Sequence, residues 1–350
     1  MSGEEMKTYE ITIKPLSGFG TPLKGDTIFG HICWQAAYDD KLFGNSIERL
    51  LADYETNPFL VISSAYPKLY EGTKAVYMLK RPDLPLDKLF DFTGMDKKTI
   101  ISERKKMKAK KWMPIKESQQ IESFTKMSYK DDKKFFEMVK KTVTEDLLRE
   151  AKKDGMKSVL TYFAQPHNTI NRLTGTTGEG RFAPFAVKQA VYFPQTELSF
   201  FAGLNEIINI KHLEDALKMI GEFGFGKDAS TGLGKFEFCD VDEIDLKSFG
   251  SPLPNACYTL SPCVPEKEMY KKMFFTPFIR FGKHGDVLAK SSNPFKNPVI
   301  MADEGAVFTP KNLDVFKKPY LGTSVTNISK VEPKTVMQGY SLYIPIKVEV

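Results

Sequence analysis

The chain has 350 residues, 41% hydrophobic and 12% aromatic, enough to bury a full core; this excludes intrinsic disorder, and the length suggests about two domains. Its 50 Lys and Arg against 44 Asp and Glu leave a formal charge of +6, a mild tilt toward polyanionic partners that many soluble enzymes share. No apolar run approaches the roughly 20 residues of a bilayer span, and the first residues, with Glu4 and Glu5, run into an alternating pattern rather than a signal peptide.

The expectation is therefore a soluble, cytoplasmic protein with no membrane partner. Cys33, Cys239, Cys257 and Cys263 form no Cys-x-x-Cys pair, and His31, His167, His212 and His284 are scattered. Neither a structural metal, a cofactor nor disulfides are expected.

In chain order, Tyr9, Ile11 and Ile13 alternate with Thr12 and Lys14 as a half-buried strand. A turn-rich stretch, 18–26, leads to a helix capped by Asp26 or Thr27 and carrying Ile28, Phe29, Ile32, Cys33, Ala36 and Ala37. Strands are predicted at 59–65 and 75–79, followed by a turn at 81–85. A basic stretch then runs from Lys97 to Lys116, within an insertion of about residues 86–190. Its plainest reading is a solvated surface; the other is an RNA-facing or partner-facing patch.

A strand at 197–202 and an amphipathic helix with Leu213, Ala216, Leu217, Ile220 and Phe223 precede a glycine loop, 224–235, and a strand with Phe236 and Phe238. Strand–loop–helix and strand–helix–loop–strand together fit an interrupted ferredoxin-like βαββαβ domain over 1–244, of the class whose sheet opens one face to nucleic acid. Residues 245–265, rich in Ser, Pro and Asn, read as a boundary. A second, degenerate and β-rich domain over 255–350 follows, with strands at 273–281, 299–302, 306–309 and 340–350 and a hairpin turn at 282–286. The fold class expected is α+β.

Three constellations can carry chemistry. In the first, Gly224, Gly226, Gly232 and Gly234 leave the backbone bare, so several N–H groups can point at one phosphate while Lys227 and Lys235 supply charge. A Walker A loop is excluded, because Gly234-Lys235 is followed by Phe236 and Ala229 stands where its first glycine belongs. A dinucleotide fingerprint is excluded because this loop follows a helix and opens a strand. The plain alternative is a long flexible turn.

The second, 167–181, gathers His167, Asn168, Asn171, Arg172, Thr174, Gly175 and Arg181, donors suited to phosphates, 2′-hydroxyls and bases, or else an ordinary exposed hairpin. The third is Lys24-Gly25-Asp26 at a helix N-terminus, an anion site or simple capping by Asp26. Catalytic constellations are missing, save that His31 could act as a general acid or base on RNA; packing on the first helix beside Phe29 and Trp34 is the competing reading.

The run from Phe19 through Lys24, Gly25, Asp26 and His31 to Trp34 resembles the N-terminal signature of subunit four of the type III-A CRISPR (Csm) complex. The loop 224–235 is similar to the glycine-rich loop of the RAMP superfamily, and 167–178 to that family's central motif. The C-terminal third is tied to it by the run from Pro298 through Gly305 to Phe308 and by the final strand.

The resemblance implies tandem ferredoxin-like, RRM-like domains, the first carrying a thumb-like hairpin in its insertion. It implies a non-catalytic subunit that caps the repeat-derived 5′ tag of the guide RNA (crRNA), bridges the large polymerase-like subunit to the backbone subunit, and meets target RNA only indirectly. Carried across, Lys24, His167, Asn168, Asn171, Arg172, Thr174, Lys227, Ser230, Thr231 and Lys235 contact RNA, the adjoining Gly25, Gly175 and loop glycines shape the cradle, and Asp26 orders its loop. Two other readings compete: a metal-independent guide-processing endoribonuclease using His31, and a scaffold whose basic stretch docks an acidic subunit.

Overall fold

The computed structural model describes residues 6–349, without the side chain of Arg181; the last residue of the final expected strand, Val350, lies outside the described residues. The chain begins β1 (Lys7–Pro15), α1 (Gly25–Tyr38), α2 (Ile47–Ala52), β2 (Leu60–Ile62), β3 (Tyr66–Glu71) and β4 (Lys74–Lys80). It continues with α3 (Lys97–Ala109), β5 (Trp112–Lys116), α4 (Asp132–Lys140), α5 (Glu145–Lys153), β6 (Leu160–His167) and β7 (Phe185–Tyr192). Then come β8 (Glu197–Leu204), α6 (Ile210–Phe223) and β9 (Phe236–Glu243). The last third holds β10 (Ala256–Thr259), β11 (Tyr270–Phe274), β12 (Pro277–Arg280), β13 (Val299–Ala302), β14 (Val307–Pro310), β15 (Tyr320–Gly322) and β16 (Tyr340–Ile346).

The fold is α+β. One antiparallel sheet runs β5-β4-β3-β8-β1-β9, with β2 also on β8; a second runs β11-β14-β10-β16-β15. β1 occupies the interior of the first sheet: Ile11 and Ile13 are wholly buried in one core with Ile28 and Phe29 of α1 and Leu213 and Leu217 of α6, where apolar side chains leave water. One continuous hydrophobic core joins the two sheets, from Ile11, Phe29 and Leu217 to Tyr258, Val307 and Ile344. No helix among the described residues is long and apolar enough to cross a membrane.

Several expectations are corrected. The second face of β1 is closed, not open to nucleic acid: Glu10 and Thr12 are buried, and Glu10 is satisfied by Lys68 at 2.8 Å, the Tyr77 hydroxyl at 2.7 Å and Ser199 at 2.8 Å. A buried carboxylate is tolerated there only because it is so fully paired. Within the stretch read as a boundary, β9 of the first sheet has ended and β10 of the second begins, and Leu260, Ser261 and Cys263 are wholly buried, so its residues from 256 on are core.

The strand expected at 273–281 divides into β11 and β12, which join different sheets. The expected tight turn at 282–286 is part of a longer connection in which Lys283 bridges Phe295. The second sheet carries only short 3₁₀ turns among the described residues, with none of the α-helices of a full ferredoxin-like unit. The basic stretch divides as well. α3 has no buried residue, but Met113 and Ile115 of β5 are 0% exposed because β5 pairs with β4.

Candidate nucleic-acid interface

The loop after β1 organises the site. The Phe19 N–H donates to Ala190 O at 2.8 Å and the Ala190 N–H returns a bond to Phe19 O at 2.9 Å, which fastens the loop to β7. The Phe19 ring lies 6.0 Å from Tyr192 and 6.4 Å from Phe225, one neighbour in the hairpin and the other in the glycine loop. On its other flank, the Lys227 N–H donates to Thr21 Oγ1 and the Lys235 N–H to Ser17 Oγ, both at 2.9 Å, and the Gly234 N–H donates to Gly18 O at 2.8 Å. Glycine loop and hairpin are thus brought together through residues 17–21.

The glycine loop is tightly closed. Phe225 donates to Gly234 O, Gly226 to His31 Nε2 at 3.0 Å, and Thr231 and Leu233 to Asp228 O. These amides, with those of Lys227, Gly232, Gly234 and Lys235, are engaged within the protein, so among the described residues the N–H groups of this loop left without a protein acceptor are those of Asp228, Ala229 and Ser230 at its tip. Gly234 is required: its φ is 73°, and a Cβ there would lie 2.1 Å from Phe225 O. Gly224, Gly226 and Gly232 also have positive φ.

The loop presents side chains outward. Lys227, Ser230, Thr231 and Lys235 are exposed, and the Lys227 ammonium is 3.8 Å from its neighbour Asp228. The Thr231 hydroxyl donates to Asp228 O at 2.8 Å.

His31 is held beneath this loop. Its ring lies 4.6 Å from Phe225, and burial pulls its pKa down to about 4, so the imidazole is neutral and Nε2 accepts from Gly226. The expected packing is real, but Phe225 is the ring partner recorded, not Phe29 or Trp34.

The second constellation forms the exposed end of the β6–β7 hairpin, a ribbon paired from Leu160 with Tyr192 to His167 with Phe185. His167 stacks on Phe185 with ring centres 5.3 Å apart. Beyond it Asn171 builds its own turn: Oδ1 accepts from the Leu173 N–H at 3.0 Å, and Asn171 O accepts from Gly175, whose φ is 68°. The hydroxyls of Thr174 and Thr176 are 3.0 Å apart. Asn168, Arg172 and Thr174 are exposed, as is Leu173 at 96%.

The third constellation is corrected. Lys24 faces the turn between β13 and β14 and is held there by Asp303 and by Glu304 at 2.6 Å. Burial works against its charge, but the two carboxylates outweigh it and raise its pKa. Burial pushes Asp303 up, yet its hydrogen bond with Glu304 and the Lys24 and Lys80 ammoniums hold it at about 2; burial and Asp303 push Glu304 up. Asp26 caps nothing: its carboxylate takes both Arg280 Nε and Nη2, the latter at 2.7 Å. A Cβ on Gly25 would lie 2.2 Å from Ile62 O. The expected anion site at this helix end is therefore occupied by protein.

No protein-family model and no curated protein matches this chain in sequence. Solved structures do match in fold. A crystal structure of a Csm1–Csm4 cassette with pppApA aligns at a TM-score of 0.52 and 14% identity, over 98% of this chain and 99% of that one. The same cassette with cA4 gives 0.51 at 15%, over 98% and 99%, and a Csm3–Csm4 subcomplex of the type III-A CRISPR-Cas interference complex gives 0.51 at 15%, over 97% and 99%. Csm4 is the component these structures share. The chain has a Csm4-like fold.

Sequence reading missed the residues that close the first motif against the second sheet: Arg280, Asp303, Glu304 and Gln338, whose amide both donates to and accepts from the Ile62 backbone at 2.7 and 2.9 Å. Asp303 and Glu304 lie inside the 298–308 run, but no local pattern couples them to Lys24, some 280 residues away. Ser17 and Thr21, which hold the glycine loop, were also missed.

Proposed function

We propose that the chain is the RNA-holding subunit of a type III-A CRISPR effector, gripping the repeat-derived 5′ tag of the guide RNA. The observation that carries the reading is the joining, by loop 17–21, of a glycine loop that presents Lys227 and Lys235 outward to the β6–β7 hairpin at Ala190, whose exposed end, five residue pairs further along the ribbon, carries Asn168 and Arg172. A strand of RNA laid from the glycine loop along the hairpin to its end meets exposed ammonium and guanidinium groups for phosphates, and amides and hydroxyls for 2′-hydroxyls and base edges. The Csm4-like fold supports the assignment to such a complex, and the strand order β3-β8-β1-β9 with α1 and α6 supports reading the first sheet as ferredoxin-like.

In this reading the chain is cytoplasmic, caps the tag, and bridges the large polymerase-like subunit to the backbone subunit. It binds RNA without cleaving it: a histidine whose pKa is near 4 and whose Nε2 already accepts a backbone N–H is a poor acid or base for RNA near neutral pH.

The test is Lys227→Gln together with Lys235→Gln. Each single-strand phosphate contact contributes roughly 0.7 to the salt slope of binding, so the pair is expected to flatten it by about 1.4 on a tagged guide. An unchanged slope and affinity would refute the loop assignment, and a discrete product from a repeat hairpin in chelator, lost in His31→Ala, would replace it with the nuclease reading.

A further inference from the structure

Residues 86–159 contain 20 Lys and Arg against 13 Asp and Glu, a net +7 in a chain whose whole charge is +6, so the remainder of the molecule is close to neutral. α3 concentrates this excess. At about 100° per residue, Lys97, Lys98, Ile101, Arg104, Lys105 and Lys108 share one arc of about 120°. Ile100, Glu103 and Met107 lie on the other side, half-buried.

The helix buries no residue and is held at its ends. The Asp96 carboxylate accepts from the Lys98 and Thr99 N–H groups at 2.8 and 3.0 Å, and Arg81 Nη1 donates to Met107 O at 2.7 Å and Lys110 O at 3.1 Å. Arg81 is itself half-buried, so the protein commits an interior guanidinium to fixing the end of a surface helix.

Ion pairing does not explain the outer face. Lys106 pairs with Glu103 at 2.7 Å, but among the described residues no carboxylate pairs with Lys97, Lys98, Arg104, Lys105 or Lys108. Arg104 and Lys108 are one turn apart and repel, so the face keeps an electrostatic cost that a polyanion would relieve. The same insertion holds a second basic feature, a groove of about 600 Å³ between β5 and α4 lined by Lys116, Lys130, Lys134 and Lys141, with Glu137 and with Glu71, which pairs with Lys116 at 2.7 Å.

We propose that the outer face of α3 is a contact for a nucleic-acid phosphodiester backbone, independent of base sequence and separate from the loop–hairpin site. Lys97 to Lys108 spans about 17 Å, enough to follow several phosphates. Flexible ammonium groups supply point charges that grip phosphate without reading bases. An acidic protein fits less well, because the centre of a protein interface is depleted of charge, whereas this face offers five cations around Ile101, with the half-buried Phe92 under Arg104 as its one aromatic neighbour among the described residues.

The experiment neutralises the face with Lys97→Gln, Lys98→Gln, Arg104→Gln, Lys105→Gln and Lys108→Gln, which keeps helix propensity. Binding of the full chain to an unstructured RNA of scrambled sequence, and to DNA of equal length, is measured against salt. The slope is expected to fall by about 2 or more on both, as three or more lost phosphate contacts require. The control neutralises the exposed Lys211, Lys247, Lys271, Lys311 and Lys317, an equal change of net charge elsewhere.

An unchanged slope, or an equal fall in the control, overturns the proposal. So does a variant that binds nucleic acid normally but no longer assembles with other subunits, which would assign the face to protein. Lys227 and Lys235 stay intact throughout, so failure here leaves the tag-binding reading to its own test. Matching circular dichroism and thermal unfolding establish that the variant is folded.

Discussion

The N-terminus of α1 and the outer face of α3 both offer lysines on a helix, and they end in opposite situations. At α1, Lys24 and Asp26 are drawn into ion pairs with Asp303, Glu304 and Arg280, so every charge meets its opposite away from water. At α3, five cations have no carboxylate partner among the described residues, and Arg104 alone of them lies over a ring, that of Phe92 at 5.6 Å. The difference is one of neighbours: α1 lies under the β12–β13 ribbon, whereas α3 touches the body only along its half-buried side. A buried pair is strong evidence of a structural joint and weak evidence of a binding site, while an unpaired like-charged face, costly to keep, is better evidence of a partner.

The comparison can be broken by mutation. Asp26→Ala leaves the Arg280 guanidinium without its carboxylate in a largely buried site and is expected to cost about 3 to 5 kcal/mol in urea unfolding. A loss under 1 kcal/mol would show that the joint is solvated. Gly234→Ala, which adds a Cβ at positive φ against Phe225 O, is expected to cost about 2 kcal/mol or more and to loosen the glycine loop, read as faster proteolysis there.

A pH series sharpens the contrast from the His31 side. Burial lowers its folded pKa to about 4, below the ordinary 6.5, so the unfolded chain takes up a proton that the folded chain refuses. The associated stability is complete above pH 6.5 and is lost as pH falls toward 4, by at most about 1.4 kcal/mol per unit. Thermal midpoints between pH 7 and 4.5 are therefore expected to fall less in His31→Gln, which keeps an acceptor for the Gly226 N–H. The smallest effect belongs to α3: Lys98→Ala or Lys105→Ala is expected to change stability by less than about 0.5 kcal/mol, since neither side chain is buried or ion-paired.

Much of the fold was legible locally. β1, α1, β4, β8, α6 and β9 follow from apolar periodicity, because each buries one patterned face against the core. The 273–281 run was misread because β11 and β12 share a continuous apolar pattern while pairing with different strands, and pattern does not encode partner. The place of the glycine loop is legible, but which of its amides are held inward is not: that Ser17, Gly18, Thr21 and His31 accept from it is invisible without knowing that the first and last strands of the sheet are adjacent.

By itself, the sequence determined the α+β class, most core strands and helices, the glycines with positive φ, and the excess of cations in the insertion, since all of these depend on residues near one another in the chain. Tertiary structure alone decided which charges are paired and which are free. Pairing depends on contacts between residues hundreds of positions apart, and the cost of burying an unpartnered charge is what selects Asp303 and Glu304 for Lys24 while leaving α3 bare.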